Sequence, residues 1–174
     1  MAENIQVRES RPADDSAITK LYPAAFPDED LLPLLRELLE EEGVLSLVAL
    51  FDGKLAGHVA FTMCGISGKP DKVAMLAPLA VAPEMQMRGV GSALVRDGLQ
   101  RLKADGIGQV QVLGDPAYYG RFGFEPDSQV SPPYPLPEEW ITAWQSINLS
   151  EGEPALQGAL SVPSVWRQPA LWLP

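Results

Sequence analysis

The chain has 174 residues, 46% of them hydrophobic and 21% charged, and a formal net charge of −10. A chain of this size buries about 70% of the surface it exposes when unfolded, and the proportions are those of a globular domain, so disorder, collagen and coiled coil are excluded as readings of the whole. A single cysteine, Cys64, and a single histidine, His58, exclude an internal disulfide framework and a zinc site built from Cys and His, and the negative charge argues against nucleic acid and anionic membranes as partners.

Met1-Ala2-Glu3-Asn4 lacks the basic stretch and apolar run of a signal peptide. No apolar run approaches the roughly 18 residues of a membrane span. The expectation is a soluble, cytoplasmic protein with no membrane partner.

Ile5–Glu9 alternates and predicts a first strand. A helix start follows at residues 10–15, where Pro12, Asp14 and Asp15 stand early. That helix runs to about Ala25 with Ile18, Leu21 and Tyr22 on one face, and Phe26-Pro27 breaks it. A second helix is expected over about Asp30 to Glu42, from the spacing of Leu31, Leu34, Leu35, Leu38 and Leu39. Gly43 ends it.

Val44–Phe51 is a nearly continuous apolar strand. Asp52-Gly53 is a two-residue hairpin turn, and the return strand covers about Lys54 to Cys64. Residues 73–81 are apolar on both faces, as a central strand requires. Pro78 within it cannot donate a ladder hydrogen bond, which predicts a bulge or a splayed strand there. The loop Gln86-Met87-Arg88-Gly89-Val90-Gly91 leads to a helix over about Ser92 to Asp105, with Gly106 as its cap. Val110–Leu113 is a short strand, and residues 114–124 form a helical turn entering another strand. Beyond Pro126 the chain turns proline-rich. A short helix is expected at 138–146 and a last strand at 155–162. All four tryptophans, Trp140, Trp144, Trp166 and Trp172, lie in this tail. They suit packing on the body, and a partner surface is the alternative.

The informative unit is the strand at 73–82, the loop and the helix after it. A glycine-rich turn at a helix N-terminus offers unpaired N–H groups and a positive dipole end, an anion site. Gly89 and Gly91 allow close approach and positive φ. A Walker A loop needs Gly-Lys-Ser/Thr, yet Gly53-Lys54 and Gly68-Lys69 are followed by Leu55 and Pro70. A Gly-x-Gly-x-x-Gly reading from Gly89 fails at Leu94.

The loop resembles the acyl-CoA loop of the GNAT N-acetyltransferases, Gln/Arg-x-x-Gly-x-Gly/Ala between a central strand and a helix. A second family feature is a tyrosine four residues before a Gly-Phe pair, here Tyr119 before Gly123-Phe124. Residues 113–124 look like the YhbS-type subgroup of predicted acetyltransferases. The element order β-α-α-β-β-β-α-β-α-β is also similar to the family's. The resemblance covers about residues 5–126.

It implies an α/β (α+β) fold: a mixed, mostly antiparallel central sheet flanked by helices and splayed at the acyl-CoA-binding strand. It implies a single domain over 1–174, with a core at 5–126 and a Pro/Trp-rich extension at 127–174 packed on it. The implied reaction is transfer of an acetyl group from acetyl-CoA, as cosubstrate and without a metal, to a primary amine that attacks the thioester directly. Backbone N–H groups from Met87 through Arg88, Gly89, Val90 and Gly91 to Ser92 would hold the pyrophosphate, with Gln86 opening the motif. The backbone of Leu79, Ala80 and Val81 would pair with the pantetheine arm. Tyr119 would protonate the departing thiolate, with Tyr118 as fallback; the alternative for Tyr119 is a packed aromatic. Residues 86–124 carry Arg88, Arg96, Arg101, Lys103 and Arg121 against Asp97, Asp105 and Asp115, a net +2 in an acidic chain, which suits a polyanion.

No general base is evident, and a water chain serves as well as a dedicated residue. His58 is expected in a structural, hydrogen-bonded role, and Cys64 as a small buried residue. Residues 28–42 hold seven acids against Arg36. A cationic small molecule or peptide amine would be attracted there, and a solvated acidic helix face is the alternative. A non-catalytic acyl-CoA-binding regulatory module stays open as a different class of function, as does a homodimer.

Overall fold

The computed structural model describes residues 4–172. The chain forms two compact units. One runs up to Phe61 and includes Ala77–Gly98; the other combines Thr62–Leu76 with the chain from Leu99 onward.

In the first unit, β1 (Ile5–Glu9) pairs antiparallel with β2 (Val44–Phe51), Val7 opposite Ala49. Between them come α1 (Asp15–Ala25), entered through a 3-10 turn at Pro12–Asp14, and α2 (Leu32–Glu40). β2 turns into β3 (Lys54–Ile66). Asp52 and Gly53 have φ of 50° and 83°, the pair of positive values that a type I′ hairpin demands. β3 neighbours β4 (Lys72–Val81), which is followed by α3 (Val90–Ala104).

The helical periodicity is realised as burial. Ile18, Leu21 and Tyr22 of α1 pack with Leu35 of α2, Val48 of β2, and Ala80 and Ala82 at the end of β4. Each fully buried aliphatic side chain in such a cluster contributes roughly 1.5–3 kcal/mol. Gly57 on β3 and Gly98 on α3 mark close approaches of the two elements. A β-carbon on Gly57 would stand 2.9 Å from Val90 and 3.1 Å from the Ala80 carbonyl, and one on Gly98 would collide with the Phe61 ring.

In the second unit, Val73–Leu76 of β4 pair in parallel with β5 (Gln109–Leu113), and the ladder stops at Leu76 opposite Val112. The next peptide but one, Ala77–Pro78, is cis. After β5 come α4 (Pro116–Tyr119), a 3-10 turn at Gly120–Phe122, β6 (Glu125–Pro126) and β7 (Val130–Ser131). The residues expected as a helix at 138–146 divide differently. Glu138–Ala143 is 3-10, and Trp144–Asn148 is a strand, β8, antiparallel to β5 over five residues. Its neighbour is what makes it a strand: Trp144 to Asn148 satisfy the free side of β5. β9 is Gly158–Ser161, shorter than the expected 155–162, and pairs with the end of β3 and with β7.

Trp144, Trp166 and Trp172 are buried, and each indole N–H has an acceptor: the Val130 carbonyl at 2.7 Å, Thr62 Oγ1 at 3.0 Å and the Trp166 carbonyl at 3.1 Å. Asp127 ties the tail to β5. Its Oδ2 accepts from the Nε2 groups of Gln109 and Gln111, both at 3.3 Å, while Oδ1 accepts from the backbone N–H of Gln129 and Val130. Buried amides of this kind are tolerated because they are bonded.

Candidate active site

The loop between β4 and α3 begins with a 3-10 turn at Pro83–Met85. Gln86 is exposed, and its Nε2 donates to the Val81 carbonyl at 3.3 Å, so this side chain braces the loop across its base. Met87 has φ 63° and Gly89 φ 88°. Gly91 does not take the positive φ expected of it. It sits in the first turn of α3, which starts at Val90 rather than Ser92, and Met87 holds the second left-handed position. Ala93 donates the first bond of the helix, to the Gly89 carbonyl at 3.0 Å. The N–H groups of Val90, Gly91 and Ser92 therefore have no intrahelical acceptor, and they lie at the positive end of a 15-residue helix. The Val90 side chain is buried, so only its backbone is on offer. Met87 is fully exposed, and Arg88 holds its guanidinium 5.9 Å above the Phe51 ring.

Leu79, Ala80 and Val81 close β4 on the loop's upstream side, in the same unit. Ala80 is buried and its two neighbours half-buried. Between the C-terminal end of α1 and the start of α2 an open cleft of about 350 Å³ is lined by Tyr22, Phe26, Leu31 and the carboxylates Asp28, Glu29 and Asp30.

Tyr119 belongs to the second unit. Asp115 caps α4 by accepting from the Ala117 N–H at 2.9 Å, and its carbonyl accepts from the Tyr118 and Tyr119 N–H groups. This short turn sets the Tyr119 ring against Phe124 (centroids 5.7 Å apart), Tyr118 (5.0 Å) and Phe122 (6.4 Å). The packed-aromatic reading of Tyr119 is thus a fact of the structure. It does not exhaust the residue, since no hydrogen bond of its hydroxyl is found among the described residues. Burial first, and the neighbouring Tyr118 second, push the phenol's pKa upward, which keeps it protonated at neutral pH. Arg121 lies 4.4 Å over the fallback Tyr118 ring.

His58 is hydrogen-bonded, as expected, and fully buried. Burial lowers its pKa to about 4. Burial pushes the Cys64 thiol up to about 12, and Sγ donates to the Thr62 carbonyl at 3.4 Å, which is not the setting of a nucleophile. The partners of His58, namely Tyr22 and Ser46, and the contact of Gly114 with Tyr119 are not written in the sequence. The single signal was Tyr22 on the inner face of α1; Ser46 and Gly114 carried none. Among the described residues no three His, Cys, Asp or Glu side chains gather as a metal site, and no helix is long and apolar enough to cross a membrane.

The model of the GNAT acetyltransferase family matches residues 15–124. The chain is 40% identical over 154 residues to YjhQ, an uncharacterised N-acetyltransferase of Escherichia coli, covering 84% of this chain and 85% of that protein. It is 36% identical over 121 residues to YhbS, a second uncharacterised N-acetyltransferase of that species, covering 68% and 72%. The structure of Escherichia coli YhbS in complex with CoA superposes with a TM-score of 0.84 at 28% identity, over 97% of this chain and 94% of that one. A GNAT acetyltransferase from Brucella melitensis in complex with acetyl-CoA gives 0.75 at 29%, over 95% and 99%. The sheet is mixed and mostly antiparallel, flanked by helices, as in these relatives. Loop, fold and sequence agree, and the chain belongs to the GNAT family of N-acetyltransferases.

Proposed function

We propose that the chain transfers the acetyl group of acetyl-CoA to a primary amine, by direct attack of the neutral amine on the thioester. The observation that carries this reading is the row of N–H groups at Val90, Gly91 and Ser92, left without intrahelical acceptors behind the left-handed positions Met87 and Gly89. Such a row fits a pyrophosphate. Two solved relatives hold CoA or acetyl-CoA.

In this reading Met87 to Ser92 bind the pyrophosphate through backbone N–H groups, and Leu79, Ala80 and Val81 hold the pantetheine arm as an added strand. The amine nitrogen attacks the thioester carbon, the C–N bond forms and the C–S bond breaks. Tyr119, held protonated by its burial, supplies the proton to the leaving thiolate and is restored by the proton that the attacking nitrogen sheds as the amide forms. The acceptor is a cationic small molecule or peptide amine, attracted by the carboxylates of the cleft between α1 and α2. Residues 127–174 serve this domain by packing rather than as a separate module, in keeping with the buried Trp144, Trp166 and Trp172.

The test is thermal unfolding with acetyl-CoA, against NADH and ATP, followed by CoA release with a panel of polyamines, aminoglycosides and lysine peptides. Acetyl-CoA at 100 times its Kd stabilises by about 2.7 kcal/mol, a shift of roughly 5–10 °C. A shift with acetyl-CoA and turnover of an amine is expected. A shift without any turnover favours a regulatory acyl-CoA module, and no shift removes the reading.

A further inference from the structure

His58 is the one histidine of the chain, and both its ring nitrogens are engaged. Nδ1 is 2.7 Å from the Tyr22 hydroxyl on α1, and Nε2 is 2.8 Å from Ser46 Oγ on β2. Ser46 Oγ is 2.7 Å from Ser10 Oγ, one residue past β1. Tyr22 and His58 are buried, whereas Ser46 and Ser10 are half-buried. Four side chains, from α1, β2, β3 and the residue after β1, thus make one unbroken hydrogen-bonded line.

Two donor orders satisfy this line. In one, Tyr22 donates to Nδ1, Nε2–H donates to Ser46, and Ser46 donates to Ser10. In the other, Ser10 donates to Ser46, Ser46 to Nε2, and Nδ1–H to the Tyr22 oxygen. Passing from the first order to the second is the entry of one proton at Tyr22 and the departure of one at Ser10.

Two members of the line stand in meaningful places. The Ala82 N–H donates to the Ala56 carbonyl at 2.8 Å. Two residues further along each of these neighbouring antiparallel strands, His58 stands opposite Ala80, within the stretch proposed to hold the pantetheine arm. Tyr22 is the one buried residue among those lining the cleft between α1 and α2.

Resting on the acyl-transfer reading above, we infer that Tyr22, His58, Ser46 and Ser10 carry away the proton that the acceptor ammonium must lose before attack. The ammonium N–H is given to the Tyr22 oxygen as the phenol's own proton passes to Nδ1. The Nε2 proton passes to Ser46, that of Ser46 to Ser10, and that of Ser10 to water. The acceptor is left as a neutral amine with a free lone pair, and one proton has entered and one has left. Once the product has left, Tyr22 releases a proton to water in the cleft as Nδ1 returns one to it, and Ser10 takes one from water and passes it through Ser46 to Nε2, which restores the first order before the next turnover.

A buried imidazole with a depressed pKa suits a relay, since it passes a proton on instead of keeping it. The titratable group against the ring is Tyr22. β2 brings Ser46 and Val48 to this face, β4 brings Ala80, and α2 turns Leu34, Leu35 and Leu38 inward with Arg36, Glu37 and Glu40 exposed. The next charges are Asp28, Glu29 and Asp30 of the cleft and the Arg8–Asp14 pair on the segments flanking Ser10.

The experiment compares wild type with Tyr22→Phe, Ser46→Ala and His58→Gln, using the best acceptor of the amine panel, from pH 6 to 10. At pH 7 each variant is expected to turn over at least about tenfold more slowly, within the usual range for acid–base groups. The deficit should shrink as pH rises toward the alkylammonium pKa of about 10, where bulk water supplies neutral amine. The thermal shift with acetyl-CoA should stay as in wild type. A loss equal at every pH, or no loss, overturns the relay and leaves a structural bolt. Binding of acetyl-CoA with no amine turned over removes the acyl-transfer reading and the relay with it. The imidazole ¹⁵N spectrum of the intact protein, a single residue's signal, must show a neutral ring at pH 7; a doubly protonated imidazolium overturns the relay without any variant.

Discussion

Gly114 lies under the ring of Tyr119: a β-carbon on the glycine would stand 2.5 Å from Cε2 and 3.0 Å from Cδ2. No real β-carbon sits that close, and the ring is boxed in by Phe122 and Phe124 on its other sides. The end of β5 is therefore shaped to seat this aromatic. Gly114→Ala is expected to displace the ring and lower kcat toward the level of Tyr119→Phe, with acetyl-CoA stabilisation retained. Equal turnover in Gly114→Ala and wild type would dissociate the seat from the chemistry.

Tyr119→Phe keeps the ring and its packing and removes the hydroxyl alone. If the phenol protonates the thiolate, kcat falls by about 10²-fold or more. Stability should move by under about 0.5 kcal/mol, since no hydrogen bond of the hydroxyl is lost. A large fall in melting temperature with little change in kcat would make Tyr119 a core residue only.

Gly98→Ala places a methyl group into the face of Phe61, between α3 and β3. Overpacking of this kind costs about 2 kcal/mol, or roughly 4–8 °C for a chain of this length. Calorimetry checks it. A neutral outcome would show that the helix can retreat from the strand without cost.

The pH dependence of stability carries the signature of His58. Its pKa is about 4 in the fold and about 6.5 unfolded. Between these values the unfolded chain binds the proton and the folded chain does not, so stability falls as pH falls. The contribution is intact above about pH 6.5 and lost once pH has passed about 4, at most about 3 kcal/mol in all. Arg8 holds the Asp14 carboxyl below its ordinary value, chiefly by a side-chain hydrogen bond, so that pair's contribution is lost only at lower pH. Urea titrations of wild type and His58→Gln between pH 4 and 7 should differ in slope. Parallel curves would refute the buried neutral ring.

Local signals carried most of the first unit into view. The Asp52-Gly53 turn, the leucine spacing of α2 and the Gln86–Gly91 loop are each decided within about ten residues, and each lies within two residues of where its pattern puts it. β8 was hidden for the opposite reason. Trp144-Gln145-Ser146-Ile147-Asn148 has no strong strand pattern, and its state is fixed by pairing with β5, more than thirty residues upstream. The hydrogen-bonded line through His58 was equally invisible. Ser10, Tyr22, Ser46 and His58 are spread over three elements and a loop, and nothing in the type of any one names the other three. The site's backbone was legible, since a glycine pattern dictates it; the side-chain contacts were not, since tertiary packing does.

The placement of the aromatic side chains makes the molecule its own instrument. Every tryptophan lies in the second unit, with Trp144, Trp166 and Trp172 in edge-to-face contact around Trp172, whereas the sole imidazole lies in the first. Indole fluorescence excited at the red edge therefore watches one unit melt, and the His58 proton signal watches the other, in a single unlabelled sample. Coincident transitions would mean one cooperative folding unit. Separate transitions would mean that the half bearing the glycine loop can loosen while the half bearing Tyr119 stays folded.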